Sequence, residues 1–164
     1  MTARSCTFSL DSLTSWSELT SRLHLHYFHE IDQSNAKAKS LPWALSKGLK
    51  TFLPLSNFIP SSLLPDPHNV TLHLEVNGIQ KQHDSTNLML FDIPRLLRHV
   101  TSVMPLYKGD LLLTGTPKGV GSVMPGDVIT AGVRVNGKEV DEGRIKVEVV
   151  ERRGGYGSDE SYCF

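Results

Sequence analysis

Cysteine is scarce: the 164 residues include two, Cys6 and Cys163, near opposite ends of the chain. That makes no disulfide framework and suits a reducing, intracellular compartment. Long apolar runs are missing as well. No stretch approaches the roughly 18 apolar residues that a membrane span needs, and the first residues lack the basic-then-apolar order of a signal peptide. Excess charge of either sign is also absent, since 17 Lys and Arg balance 17 Asp and Glu. With no net field to hold the chain on nucleic acid or an anionic membrane, neither is an expected partner. What the chain does have is a hydrophobic content of 39%, enough for one ordinary domain with its own core.

Cys6 to Ile31 is rich in Ser, Thr, Leu and His and keeps no sustained helical or alternating period, so no structure is assigned to it. Asp32 to Lys39 favours a short helix, which Pro42 ends by disfavouring helical backbone at Leu41. After Pro65-Asp66-Pro67 a hairpin is expected. Thr71 to Val76 alternates, Asn77-Gly78 is a preferred two-residue turn, and Ile79 to His83 returns. Asp92-Ile93-Pro94 marks a helix start, with Leu96, Leu97, Val100 and Met104 at helical spacing on its inner face. Leu111-Leu112-Leu113 reads as a short strand that runs into the glycine-rich Thr114 to Gly121. Val128 to Val135, a turn at Asn136-Gly137 and a last strand from Arg144 to Val150 complete the pattern. Hairpins with one clear helix and no strand-helix alternation predict an α+β chain, mixed and mostly antiparallel β.

The loop Thr114 to Gly121 is not a P-loop, because Lys118 precedes Gly119 instead of following the glycine of a Gly-Lys-Ser/Thr. It offers threonine hydroxyls beside glycines whose amides can hold an anion, or else is simply a tight structural turn. His24, His26 and His29 lie near Glu30, and alternating histidines on a strand would share a face as zinc ligands do. Scattered surface histidines are the plainer reading, because no Cys or carboxylate partner is well placed. His68, His73, His83 and His99 read as packing or surface residues. Lys47 follows the apolar stretch Leu41 to Leu45, where burial sharpens a charge, and it is read as either a structural lysine or an anion ligand.

In order and spacing, six pieces resemble the fumarylacetoacetate hydrolase family, particularly its acylpyruvase-like and oxaloacetate-handling branch. They are Met1-Thr2-Ala3-Arg4, Ala36 to Trp43, Pro65-Asp66-Pro67-His68, Val76-Asn77-Gly78, Pro105 to Asp110, and Thr114 to Gly121. The resemblance implies the C-terminal portion of that family's mixed β-roll, incomplete here, with residues 32–152 as the family part and 153–164 a flexible tail. Residues 1–5 start the family motif, and 6–31 stand as an insertion without family counterpart.

The resemblance also implies a chemistry. Family enzymes hydrolyse, decarboxylate or tautomerise small 2-oxo and 2,4-dioxo acids such as acylpyruvates and oxaloacetate. They use Mg²⁺ or Mn²⁺, held by three carboxylates, to chelate the 2-oxo acid end. By position Lys47 and Thr116 match the catalytic, substrate-contacting lysine and threonine. Gln33 matches a glutamine beside the metal, and Arg4 closes the Thr-Ala-Arg motif on the substrate side. The family's third metal ligand is an aspartate directly before the Met-Thr-Ala-Arg motif, whose methionine is residue 1 here, and a Glu-x-Glu pair lies further upstream. No metal ligand is therefore expected in this chain, and the isolated chain is expected to be inactive. A homodimer and a cytoplasmic or mitochondrial location follow from the same resemblance. The competing expectation is a non-catalytic homologue that serves as a dimerisation or binding partner.

Overall fold

The computed structural model describes residues 2–11, 20–28, 35–48 and 50–151. Its strands are β1 (Thr2–Asp11), β2 (Thr20–Phe28), β3 (Thr71–Val76), β4 (Ile79–Ser85), β5 (Gly121–Ser122), β6 (Val128–Val135), β7 (Lys138–Glu139) and β8 (Ile145–Glu148). Helices α1 (Ala44–Lys47) and α2 (Ile93–Thr101) interrupt them, besides a helical turn at 35–38. Every ladder among the described residues is antiparallel: one sheet runs β2-β1-β5, the other β4-β3-β6-β7 with β8 on the far part of β6. The mixed, mostly antiparallel class expected from the hairpin signals is the one observed.

Burial explains the larger sheet. Leu72, Leu74 and Val76 of β3 lie opposite Val133, Ala131 and Ile129 of β6, so a period of two places all six on one face. Ile145 and Val147 of β8 extend that face, and Phe52, Ile59, Leu64, Val70 and Val123 close over it to form the core. Ile59, Val123, Ile129 and Val133 are fully buried, each removing about 1.5–3 kcal/mol of apolar side chain from water.

The β3–β4 turn has positive φ at both Asn77 (53°) and Gly78 (76°), as a two-residue turn with the strands' own twist requires. Asn136 (50°) and Gly137 (77°) repeat it between β6 and β7. Helix α2 starts where expected, the Asp92 carboxylate accepting from the Arg95 N–H at 2.7 Å. The helical turn at 35–38, the described part of the expected Asp32–Lys39 helix, closes with a bond from the Leu41 N–H to the Ala36 carbonyl (2.8 Å) around a left-handed Ser40 (φ 53°).

Four expectations are corrected. The segment read as aperiodic holds β1 and β2, joined in register from Thr2↔Phe28 to Asp11↔Thr20. Its alternation, Phe8 and Leu10 on one strand and Leu23, Leu25 and Tyr27 on the other, is broken by a bulge between Arg4 and Cys6 and masked by interleaved histidines. Leu111-Leu112-Leu113 forms no ladder among the described residues. Glycines with positive φ bound it, Gly109 (97°) and Gly115 (118°), and Leu112 packs instead into a second small cluster with Ile93, Leu97, Met89 and Leu106. Met104 is exposed, because α2 ends at Thr101 and the following turn carries Met104 off the inner stripe. The last strand is shorter than Arg144 to Val150, since at Val149 the backbone leaves β6 to bond Asp127 and Gly126.

Candidate functional site

The glycine-rich loop crosses the core-facing side of the β3–β4 hairpin at Gln82. Pairing slips by one residue between Leu74 and Glu75, leaving Lys81 as an extra residue in β4. Such a bulge re-aims the side chain beside it. Here that side chain is Gln82, 2% exposed. Its Nε2 donates to Thr116 Oγ1 (3.1 Å) and to the Pro117 carbonyl (3.0 Å), fixing the crown of the loop on the strand. Gly119 brings the backbone down beside it: a Cβ there would lie 1.9 Å from the Lys81 carbonyl oxygen, at φ 99°. Only glycine permits that approach.

Fixed in this way, Thr116 faces outward, and the loop divides the groove over the hairpin in two. On one side is a cavity of about 480 Å³ whose wall runs from Thr114 to Lys118 and, opposite, from Leu88 to Phe91. On the other side about 430 Å³ lies between Gly119–Val123 and the Val76–Gln80 end of the hairpin. The first has largely apolar walls, with Thr114, Thr116 and Lys118 along one edge and the Asp84 carboxylate also in its lining; the hydroxyls and the ammonium suit an anion with an apolar body.

Strand β5 lies directly after this loop and pairs with β1, Ala3 against Gly121 and Thr2 against Ser122. The Thr-Ala-Arg motif and the glycine loop, more than a hundred residues apart in the sequence, are thus adjacent; Arg4 follows on β1, opposite His26 of β2. Lys47 ends α1, half-buried, with its ammonium 5.2 Å from the centroid of the Trp43 ring. Lys37 approaches the same ring at 5.4 Å. Lys47 lines neither cavity beside the loop. Gln33, His29 and Glu30 lie outside the described residues, while His24 and His26 sit two residues apart on β2. Among the described residues no three His, Cys, Asp or Glu side chains are grouped to hold a metal ion. Beside Thr116 a single carboxylate of the described residues, Asp84, lines the cavity, too few ligands to hold a divalent ion, so no step through a metal is derived.

Two histidines expected from the sequence to be packing or surface residues, His68 and His73, have specific partners in the structure, as does Asp127. His68, in the Pro-Asp-Pro-His motif, accepts the Ile93 N–H at 3.0 Å through Nε2, capping the first turn of α2, while its own N–H bonds Asp66 (2.9 Å). His73 bonds Glu139 at 2.9 Å, and Glu139 also accepts from Arg134 Nε at 2.9 Å. Gly132 leaves the room for that pair. Asp127 joins the turn before β6 to the hairpin turn: it accepts from the Met124 N–H (2.7 Å) and from Asn77 Nδ2 (2.8 Å). Those two bonds hold its carboxyl below the ordinary carboxylate range. The only sequence signal for any of these is position: a polar residue beside a helix start, or an Asn-Gly turn in line with a Pro-Gly-Asp turn.

With this geometry in place, comparison with known proteins is informative. The family model described as fumarylacetoacetate (FAA) hydrolase C-terminal matches residues 29–150. The mitochondrial oxaloacetate tautomerase oaa1 of Schizosaccharomyces pombe is 53% identical over 111 residues, which cover 64% of this chain and 50% of the relative. The mitochondrial oxaloacetate decarboxylase of Dictyostelium discoideum is 54% identical over 101 residues, covering 62% and 46%. This chain therefore spans about half the length of the curated relatives it matches. Among solved structures, the crystal structure of yeast ynq8, a fumarylacetoacetate hydrolase family protein, superposes with a TM-score of 0.78 at 30% identity, covering 94% of this chain and 68% of that one.

Proposed function

The chain belongs to the fumarylacetoacetate hydrolase family, and from that premise we propose that it binds small 2-oxo acids of the oxaloacetate and acylpyruvate kind through Thr116 and Lys47. Hydrolysis, decarboxylation and tautomerisation of such acids share one demand, that negative charge building on the 2-oxo group be met by fixed donors. The observation that carries this reading is Thr116, its hydroxyl held by the buried Gln82 amide in the lining of a cavity that Lys118 shares. A donor fixed before the ligand arrives loses little on binding. Lys47 supplies a full positive charge for a carboxylate, and the Trp43 ring confines its ammonium. Arg4 and Gln33 complete the proposed substrate side, Arg4 through the β1–β5 pairing beside the loop.

The relatives' names place them in mitochondria and assign them oxaloacetate. A mitochondrial place, oxaloacetate as substrate and a homodimer are accordingly proposed for this chain, while the family's Mg²⁺ or Mn²⁺ is not proposed to be held by this chain's own residues. The test is direct: the purified chain is titrated with pyruvate and followed by NMR, then assayed for oxaloacetate enol-keto conversion and loss of CO₂ with Mg²⁺ or Mn²⁺. Shifts centred on Thr116 and Lys47 are expected. Binding without turnover would identify a non-catalytic homologue, and a chain that takes up no pyruvate would overturn the reading. Sedimentation velocity decides the dimer.

A further inference from the structure

We propose that Gln82 is a positioning residue that sets the direction of the Thr116 hydroxyl, so that its proton points at an incoming carboxylate or enolate oxygen; this rests on Thr116 being an anion contact. The orientation of the Gln82 amide follows from its partners. A backbone carbonyl can only accept, so the amide atom 3.0 Å from the Pro117 oxygen is the nitrogen. The same nitrogen is 3.1 Å from Thr116 Oγ1, and the hydroxyl oxygen must therefore accept there. Because Gln82 Nε2 is a donor, the hydroxyl proton cannot point at Gln82 and is left to turn either to the Pro117 carbonyl or to a ligand.

In the free protein the proton is within reach of the Pro117 carbonyl, Oγ1 to O being 3.2 Å. An anionic oxygen is the better acceptor, because charge-assisted bonds are about twice as strong as neutral ones. When the proton swings to the ligand, the Pro117 carbonyl keeps its bond from Gln82 Nε2 and no buried acceptor is left bare. Turning the hydroxyl therefore costs little. Three further features agree. Gln82 is among the few buried polar side chains of the described residues, the bulge at Lys81 aims it at the loop, and Gly119 sets the loop backbone against β4 at the same point. A glutamine buried only to secure a turn would be served by the Pro117 bond alone; the second bond to the outward hydroxyl is what links it to a ligand.

The experiment measures pyruvate affinity of the full chain by NMR titration for the wild type, Thr116→Val, Gln82→Met, the double variant and Gln82→Glu, with thermal melts run alongside. Losing a hydrogen bond to a charged group predicts pyruvate binding about ten-fold or more weaker in Thr116→Val and in Gln82→Met. The double variant should be no weaker than Thr116→Val alone. Gln82→Glu keeps the shape and reverses the bond. Its carboxylate would draw the Thr116 proton inward, so binding should weaken as pH rises through the titration of that buried carboxyl, a step absent from the wild-type profile. A purely structural glutamine would shift the melting temperature without that step. If Thr116→Val weakens binding but Gln82→Met and Gln82→Glu do not, or the Gln82 and Thr116 effects simply add, the positioning role is overturned while the anion contact stands. If Thr116→Val binds pyruvate as the wild type does, or the wild type binds none, the anion contact fails and the positioning role with it. Should Gln82→Met not fold, the pH profile of Gln82→Glu decides the question.

Discussion

Replacing Gly119 with alanine tests whether the loop is seated on β4 as described. The added Cβ would lie 1.9 Å from the Lys81 carbonyl oxygen and 2.9 Å from its carbon, both backbone atoms of a paired strand that cannot turn aside. The loop must retreat by an ångström or more. A left-handed backbone costs an L-residue about 1–2 kcal/mol. Lifting Thr116 and Pro117 from Gln82 removes two neutral hydrogen bonds at about 1 kcal/mol each. The expected loss is about 3–4 kcal/mol, a fall in melting temperature of about 6–16 °C at this chain length. Gly137→Ala is the control: its φ is also positive (77°), but nothing lies within 4 Å of its Cβ, so only the backbone strain remains. Circular-dichroism melts measure both, and the Gln82 side-chain amide signals report whether the loop has lifted. If Gly119→Ala proves no worse than Gly137→Ala, the loop does not rest on Lys81 and the account of the site is wrong.

Asp127 is held below its ordinary value first by the Met124 N–H and then by the Asn77 amide, so its contribution to stability is complete above the unfolded-chain value near about 3.9 and is lost as pH falls through the lower folded value. Asp127→Asn should flatten the loss of stability on acidification below about pH 4 in urea melts; an unchanged slope would sink that assignment. His68→Ala leaves the Ile93 N–H without its ring acceptor and should cost about 1–2 kcal/mol by urea unfolding, whereas a neutral result would mean that Asp92 caps α2 alone. Gly132→Ala would put a Cβ 2.0 Å from Glu139 Oε1 and 2.5 Å from His73 Nε2, parting that pair at about 1–3 kcal/mol. Adding Glu139→Ala should then cost little more, and full additivity would contradict the contact.

What could be read from the sequence was what is local. Asn77-Gly78 and Asn136-Gly137 announce their turns because both residues must take positive φ, and few other pairs do so cheaply. Asp92-Ile93-Pro94 announces α2 because cap and ring constraint act within one turn. Thr116 stood out because its motif, Thr114 to Gly121, matches by position a family motif whose threonine contacts the substrate. Gln82 did not, since a lone glutamine in a strand looks like any solvent-facing residue, and its meaning lies in a partner 34 residues away. Leu111 to Leu113 misled for the converse reason: an apolar run records burial and not hydrogen-bonding, and here Leu112 is partly buried against a helix. Lys47 could be flagged from its apolar neighbours, but its place beside Trp43 depends on a one-turn helix that no periodicity could reveal.

The two proposed anion contacts differ in what holds them. Thr116 is fixed by the buried Gln82 amide on β4, which pairs with β3, itself paired to the core strand β6, so displacing it means disturbing the main sheet. Lys47 closes a helix of four residues, too short to be stable on its own, beside the Ser40 turn and anchored upstream by the buried Ala36. Its contact with Trp43 is shared with Lys37, and an exposed cation–π contact is worth about 0.5–1 kcal/mol. An incoming carboxylate competes easily with a contact of that size. The Trp43 ring thus holds the Lys47 ammonium near one position without trapping it, and the lysine can leave the ring for the ligand while the threonine waits in place.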